Sequence, residues 1–161
     1  MLTGSSRTRP IPSKVIRSAT LADVAGIAQL VERYWEFEGI AGYRLPRVES
    51  LLAELLSAPD RGAIWVAEAA AGLSGYLLAV FMFSLEHGGL MAEIDELFVL
   101  PEMRSMGIGA LLLAAAERDM GARGLRRLQL QLGVENHRGR AFYFSHGFQA
   151  RYGYELLDKS P

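Results

Sequence analysis

Hydrophobic order along the chain begins at Val15-Ile16-Arg17-Ser18, a short apolar-polar run that reads as a strand. Thr20-Leu21-Ala22-Asp23 follows with the spacing of a capping box, so a helix is expected next. Val24, Ile27, Val31, Tyr34 and Trp35 recur at three and four residues with Glu32, Arg33 and Glu36 between them, which predicts one buried stripe. Gly39 and Gly42 end that helix. Leu45-Pro46 places proline in a first helical turn, and Val48, Leu51, Leu52, Leu55 and Leu56 form a second amphipathic helix stopping at Pro59. The period then changes. Ala63 to Ala67, Ser74 to Phe83 and Glu93 to Val99 are rich in β-branched, aromatic and aliphatic residues, and Ala71-Gly72 and His87-Gly88-Gly89 separate them at hairpin intervals, which predicts an antiparallel meander. Ile108, Leu111, Leu112 and Ala115 mark a third helix ending near Gly121 or Gly124. Leu128 to Leu132 alternates strictly, as a strand with one buried face does. A short helix from about Arg138 to His146 and a last strand from Phe148 to Leu156 complete the expected order, β-α-α-β-β-β-α-β-α-β. This is a mixed α/β sandwich without internal repeats.

Composition adds bounds to that picture. With 161 residues, half of them apolar and 22% charged, the chain has the length and balance of one globular domain. The expected organisation is a flexible N-terminal tail over residues 1–13 and a single domain over residues 14–161. The absence of Cys excludes disulfides, thiolate metal sites, iron–sulfur clusters and a cysteine nucleophile. Residues 1–13 lack a continuous apolar stretch, and the longest apolar run, Leu77 to Phe83, falls far short of the roughly 20 residues that cross a bilayer. A cytoplasmic location and no membrane partner are expected. His87, His137 and His146 lack the spacing of a metal set, so no metal is expected.

The formal charge of −1 conceals an asymmetry: residues 1–20 carry +4, residues 21–100 carry −8 and residues 101–161 carry +3. Basic residues alone do not require nucleic acid, and none is expected as a partner. A homodimer is left open.

The chemistry concentrates in two segments. Leu97-Phe98-Val99-Leu100-Pro101-Glu102-Met103-Arg104-Ser105-Met106-Gly107-Ile108-Gly109-Ala110 runs from a strand through a tight loop into a helix. Glycines let a ligand approach the backbone, and the first-turn N–H groups lack intrahelical partners, so the loop reads as an anion site with Arg104 adding positive charge. About 30 residues later comes Asn136-His137-Arg138-Gly139-Arg140-Ala141-Phe142-Tyr143, with Gly147-Phe148 closing the helix. Arg104-x-x-Gly107-x-Gly109, Asn136 and Tyr143 seven residues on, and Gly147-Phe148 together resemble the GCN5-related N-acetyltransferase (GNAT) family. The resemblance extends from about residue 14 to the end.

That resemblance implies a largely antiparallel sheet with helices on both faces, and direct acyl transfer from acetyl-coenzyme A to an amine. It implies that the pyrophosphate of coenzyme A sits on the loop matching Arg104, Ser105, Met106, Gly107, Ile108, Gly109 and Ala110. The pantetheine arm would lie along Leu97, Phe98 and Val99, and Asn136 would bond the pantetheine or nearby backbone; separately, the +3 charge of residues 101–161 makes Arg140 one of several arginines that could meet the phosphates. Tyr143 matches the usual general acid. Ser105 stands where many relatives have Gly, and Gly139 where Ala is frequent. A non-catalytic acyl-coenzyme A sensor or interaction module with the same fold is the competing reading.

Physical requirements point the same way. An alkylammonium must lose a proton before attack, and the departing thiolate must be protonated or stabilised. A phenol with an ordinary pKa of about 10 keeps a proton to give at neutral pH, which suits Tyr143, although packing beside Phe142, Phe144 and Phe148 also accounts for an aromatic there. For the base, Glu96 is the first choice and Asp95 the second. Strict alternation sets Glu93 and Asp95 opposite Glu96 unless a bulge intervenes. Acidic residues of the −8 segment fit a cationic acceptor, such as a polyamine, an aminoglycoside-like amine or a protein lysine, with Tyr34, Glu38 and Glu93 as candidate contacts.

Overall fold

A computed structural model describes residues 15–160, so the expected tail over residues 1–13 lies outside the described residues. Strand β1 (Val15–Ser18) leads through a 3-10 turn at Leu21–Asp23 into helix α1 (Val24–Glu38). The junction is fixed electrostatically. Asp23 accepts from the backbone N–H of Thr20 at 2.7 Å and from both terminal nitrogens of Arg17 at 2.8 and 2.7 Å. The Arg17 guanidinium holds the Asp23 carboxyl down at about 2. Arg17 Nε also donates to Glu68 at 2.7 Å, tying the edge strand to its neighbour.

Helix α2 (Leu45–Leu56) begins with Pro46 in its first turn, where the missing N–H costs nothing. Three long strands follow, β2 (Gly62–Ala69), β3 (Gly72–Ser84) and β4 (Gly89–Val99), paired antiparallel in sequence order with β1 beside β2. The meander is therefore as expected, but β4 starts four residues before Glu93, because Gly89, Leu90, Met91 and Ala92 pair with Ser84, Phe83, Met82 and Phe81. Helix α3 (Ile108–Ala122) and strand β5 (Arg127–Leu130) come next, and the sheet order is β1-β2-β3-β4-β5.

Alternation along β2 divides the two faces. Ile64 and Val66 join Ile27, Ala28, Leu30, Val31, Val48 and Leu52 in a core beneath α1 and α2. Trp65, between them, points the other way and donates from Nε1 to Asp119 of α3 at 2.7 Å. Helices thus cover both faces of the sheet.

One compact unit ends at Leu128 and a second begins at Gln129. The second holds helix α4 (His137–Ser145). The expected strand from Phe148 to Leu156 is not formed: no strand follows α4 among the described residues. A strand exists only through its ladder, and here Tyr152, Tyr154, Leu156 and Leu157 are all exposed.

Candidate active site

The pairing of β3 with β4 slips at one point. Leu78 faces Glu96 and Ala79 faces Ile94, so Asp95 is an extra residue without a cross-strand partner, a β-bulge. Leu78 and Val80 share one face of the unbroken strand β3, and their partners Glu96 and Glu93 therefore share it too. This corrects the strict alternation, which separates Glu93 from Glu96. The bulge brings a third carboxylate, Asp95, to the cavity on that face. Val31 and Trp35 of α1, Leu78 and Val80 of β3, and Asp95 and Glu96 of β4 all line one open cavity of about 220 Å³.

Within this cavity Glu96 is held by two donors. Trp35 Nε1 donates to Oε1 at 3.0 Å and the Tyr76 hydroxyl donates to Oε2 at 2.5 Å. Burial pushes the Glu96 carboxyl above the usual carboxylate range, against the opposing pull of these two hydrogen bonds. Tyr76 is fully buried, and burial together with the Glu96 charge keeps its phenol protonated far above neutrality, so it remains a donor. Trp35 is steadied by the edge of the Tyr43 ring, 5.9 Å away at 85°, and the Tyr43 hydroxyl donates to the Ala28 carbonyl at 2.9 Å. Asp95 is exposed as a residue, yet loss of water around its carboxyl raises its pKa, and the Glu93 charge adds to the rise.

Neither Trp35 nor Tyr76 was legible as a site residue. Trp35 reads as core, and Tyr76 sits in an aliphatic strand. The available signal is the hydroxyl itself, since a buried phenol oxygen requires a polar partner. Of the three candidate acceptor contacts, none lines the cavity. Tyr34 stacks 5.8 Å from Phe98, its phenol pushed up to about 12 by burial and then by the charges of Glu96, Glu38 and Asp95. Glu38 is the exposed last residue of α1.

Beyond β4 the chain makes the expected loop. Leu97 pairs with Leu77 and Val99 with Gly75, while Phe98 is buried in the core. The Leu100 N–H donates to Ser74 O at 2.9 Å, and a 3-10 turn at Pro101–Met103 follows. Arg104 Nε donates to Val99 O at 3.0 Å, and its guanidinium lies 4.6 Å over the Phe37 ring and 5.5 Å from Phe98. The charge is thus anchored at the base of the loop. Ser105 and Gly107 both have left-handed backbones, with φ of 63° and 77°. Gly107 is the N-cap of α3 and offers no side chain to its first turn; the helical ladder starts with Leu111 N–H to Gly107 O at 3.0 Å. The N–H groups of Ile108, Gly109 and Ala110 precede that first bond, and a Cβ built at Gly107 would meet nothing within 4 Å. The arrangement is open to an anion.

In the second unit Asn136 is the N-cap of α4, its Oδ1 accepting from the Gly139 N–H at 2.8 Å. Gly139 is required by that cap: a Cβ there would stand 2.8 Å from Asn136 Oδ1. One turn further, the Arg140 guanidinium lies 5.1 Å from the Phe144 ring. Tyr143 packs edge-on against Phe142 at 5.2 Å and Phe148 at 5.3 Å. Among the described residues no group of three or more His, Asp or Glu could hold a metal ion, and no helix is long and apolar enough to cross a membrane.

A helix-flanked antiparallel sheet that runs into a helix through a glycine loop is the arrangement that the resemblance to the acetyltransferases implies. The family model described as "Acetyltransferase (GNAT) family" matches residues 25–148. An uncharacterized N-acetyltransferase of Bacillus subtilis (strain 168), YhfO, is 31% identical over 146 residues, covering 86% of this chain and 92% of that protein. An uncharacterized N-acetyltransferase of Archaeoglobus fulgidus is 35% identical over 132 residues, covering 81% and 89%. Among solved structures, the aminoglycoside N-acetyltransferase AAC(6')-Iy in complex with CoA superposes with a TM-score of 0.81 over 90% or more of both chains (93% and 97%), at 21% identity, a likeness of fold. The chain belongs to the GNAT acetyltransferase family. It is an N-acetyltransferase, of a family that takes acetyl-CoA as acetyl donor.

Proposed function

We propose that the enzyme acetylates a primary amine by direct transfer, with Glu96 as the base, Asp95 assisting it, and Tyr143 as the acid that returns a proton to the departing thiol. The observation that carries this reading is the environment of Glu96: a carboxylate in a cavity, oriented by Trp35 and Tyr76, with a pKa raised by burial. A base works best when its pKa approaches the operating pH, and a raised carboxylate is closer to it than an ordinary one. The two donors occupy one lone pair on each oxygen, which leaves the other two to receive a proton from an alkylammonium directly or through a water.

The residues after β4 fit an anionic donor. Gly107 leaves the approach to the backbone open, the N–H groups of Ile108, Gly109 and Ala110 point to the helix N-terminus, and Arg104 adds charge from below. Ser105 adds a hydroxyl donor to the same loop. Acetyl-CoA supplies the thioester carbonyl that an amine can attack. In the second unit, the Asn136 cap orders the start of the helix that carries Arg140 and Tyr143. With no Cys in the chain, a cysteine-borne acyl intermediate is not available.

Acetyl-CoA is expected to raise the melting temperature, and Gly107→Trp to abolish that rise by filling the loop. Absence of a shift with acetyl-, succinyl- and longer acyl-CoA would overturn the donor assignment. A Tyr143→Phe variant with an unchanged rate would remove Tyr143 from the acid role.

A further inference from the structure

The cavity at Glu96 is polar at one end only. Its β4 side carries Asp95 and Glu96, whereas the side formed by α2 consists of Val48, Leu51, Leu52 and Leu55, and Val31, Leu78 and Val80 complete an aliphatic wall. Its volume of about 220 Å³ corresponds to about seven groups the size of a water molecule, each taking about 30 Å³. A bound amine therefore meets carboxylates at its nitrogen and hydrocarbon everywhere else.

We propose that the acceptor is a primary monoamine with an apolar tail of about six carbons, its ammonium at Asp95 and Glu96 and its tail along the leucines of α2. This rests on the acetyltransferase reading and narrows it. A polyamine or aminoglycoside of the same reach would leave a second ammonium or several hydroxyls among leucine side chains, where no polar group lines the wall, and burying a charge or hydroxyl without a partner is unfavourable. In the reaction the amine nitrogen forms the amide C–N bond and the thioester C–S bond breaks; of the two protons the ammonium loses, one ends on the thiol of CoA and the other passes through Glu96 to solvent. The excess of acid in residues 21–100 serves here to hold one ammonium at one end of the cavity.

The test uses the full chain and two readouts, calorimetric binding and thiol release with acetyl-CoA. The amines are n-butylamine, n-hexylamine, n-octylamine, spermidine and a Lys peptide. Affinity and kcat/KM are expected to rise about fourfold per methylene from butyl to hexyl and then level off. Spermidine and the Lys peptide are expected to react more slowly than n-hexylamine. Leu51, 54% exposed on the wall, can be changed with little risk to folding: Leu51→Asp is expected to lower kcat/KM for n-hexylamine about fourfold or more, with the acetyl-CoA melting shift retained as proof of a folded protein. A flat chain-length series, or spermidine or the peptide as the better substrate, overturns the proposal while leaving the acetyltransferase reading in place. Chain-length-dependent binding of n-hexylamine without thiol release keeps the site and overturns its role in acetyl transfer.

Discussion

Glu96→Gln separates the chemical role of this side chain from its structural one. Glutamine keeps the shape, and its carbonyl oxygen can still accept from Trp35 Nε1 while its amide nitrogen donates to the Tyr76 oxygen, so both contacts survive with one polarity reversed. Only the basic site is lost. A positioned base contributes roughly 10²- to 10⁴-fold, about 2.7 to 5.4 kcal/mol of barrier, so kcat/KM should fall within that range. Stability should move the other way. Burial raises the folded-state pKa of Glu96, so its favourable contribution is present below the unfolded pKa and is lost as pH rises through the folded value. At neutral pH the variant, free of that buried charge, should therefore melt higher than the parent, and the gap should close at a pH below the ordinary glutamate value, where both states of the parent are protonated. Glu96→Ala is the contrast: it strands the buried Tyr76 hydroxyl, a loss of about 1–3 kcal/mol, while the half-buried Trp35 Nε1 faces the open cavity. Thiol-release kinetics against pH and melting curves at several pH values supply the measurements. Wild-type kcat/KM with an unmoved acid limb in Glu96→Gln would refute the base assignment.

Trp35→Phe removes one of the two hydrogen bonds that hold the Glu96 pKa down, so the acid limb of kcat/KM should shift to higher pH, read from a pH–rate profile. Ser105→Gly relieves a left-handed backbone at φ 63° and should gain about 1 kcal/mol, or about 2–4 °C in Tm, measured by calorimetry. Gly139→Ala should yield none of the stability that alanine usually brings to a helix, because its Cβ displaces the Asn136 cap; the two effects are each about 1 kcal/mol and opposed. Gly121→Ala in α3, where a Cβ meets nothing within 4 Å, should gain about 0.5–1 kcal/mol, read with Gly139→Ala by denaturant titration.

The pattern of apolar positions was sufficient for α1, α2, α3 and the meander, because those elements bury one stripe or one face and write that period into the chain, whereas α4 buries no residue. The loop from Arg104 to Ala110 was readable for a similar reason: glycine where the backbone turns left-handed is a local requirement. Three features were not. The bulge at Asp95 adds a residue without altering composition, and its only trace is the pair Asp95-Glu96 breaking an otherwise regular alternation. The partnership of Trp35, Tyr76 and Glu96 joins residues 61 and 20 positions apart in sequence, a separation no local period can encode. The segment from Phe148 carries a strand's alternation but lacks a ladder among the described residues, since pairing depends on a neighbour and not on the segment alone.

The bulge also sets a phase. Because facing alternates with every residue, one added position lets β4 obey two frames: residues before Asp95 keep one assignment of inward and outward, and residues after it keep the opposite one. Removing Asp95 would merge the frames with Glu93 and Glu96 still on one face and Ile94 on the other, so a single deletion would take one carboxylate from the place where an ammonium is to be received and turn no neighbour over. A point in the chain with almost no packing role thereby sets whether the polar end of the pocket holds one carboxylate or two.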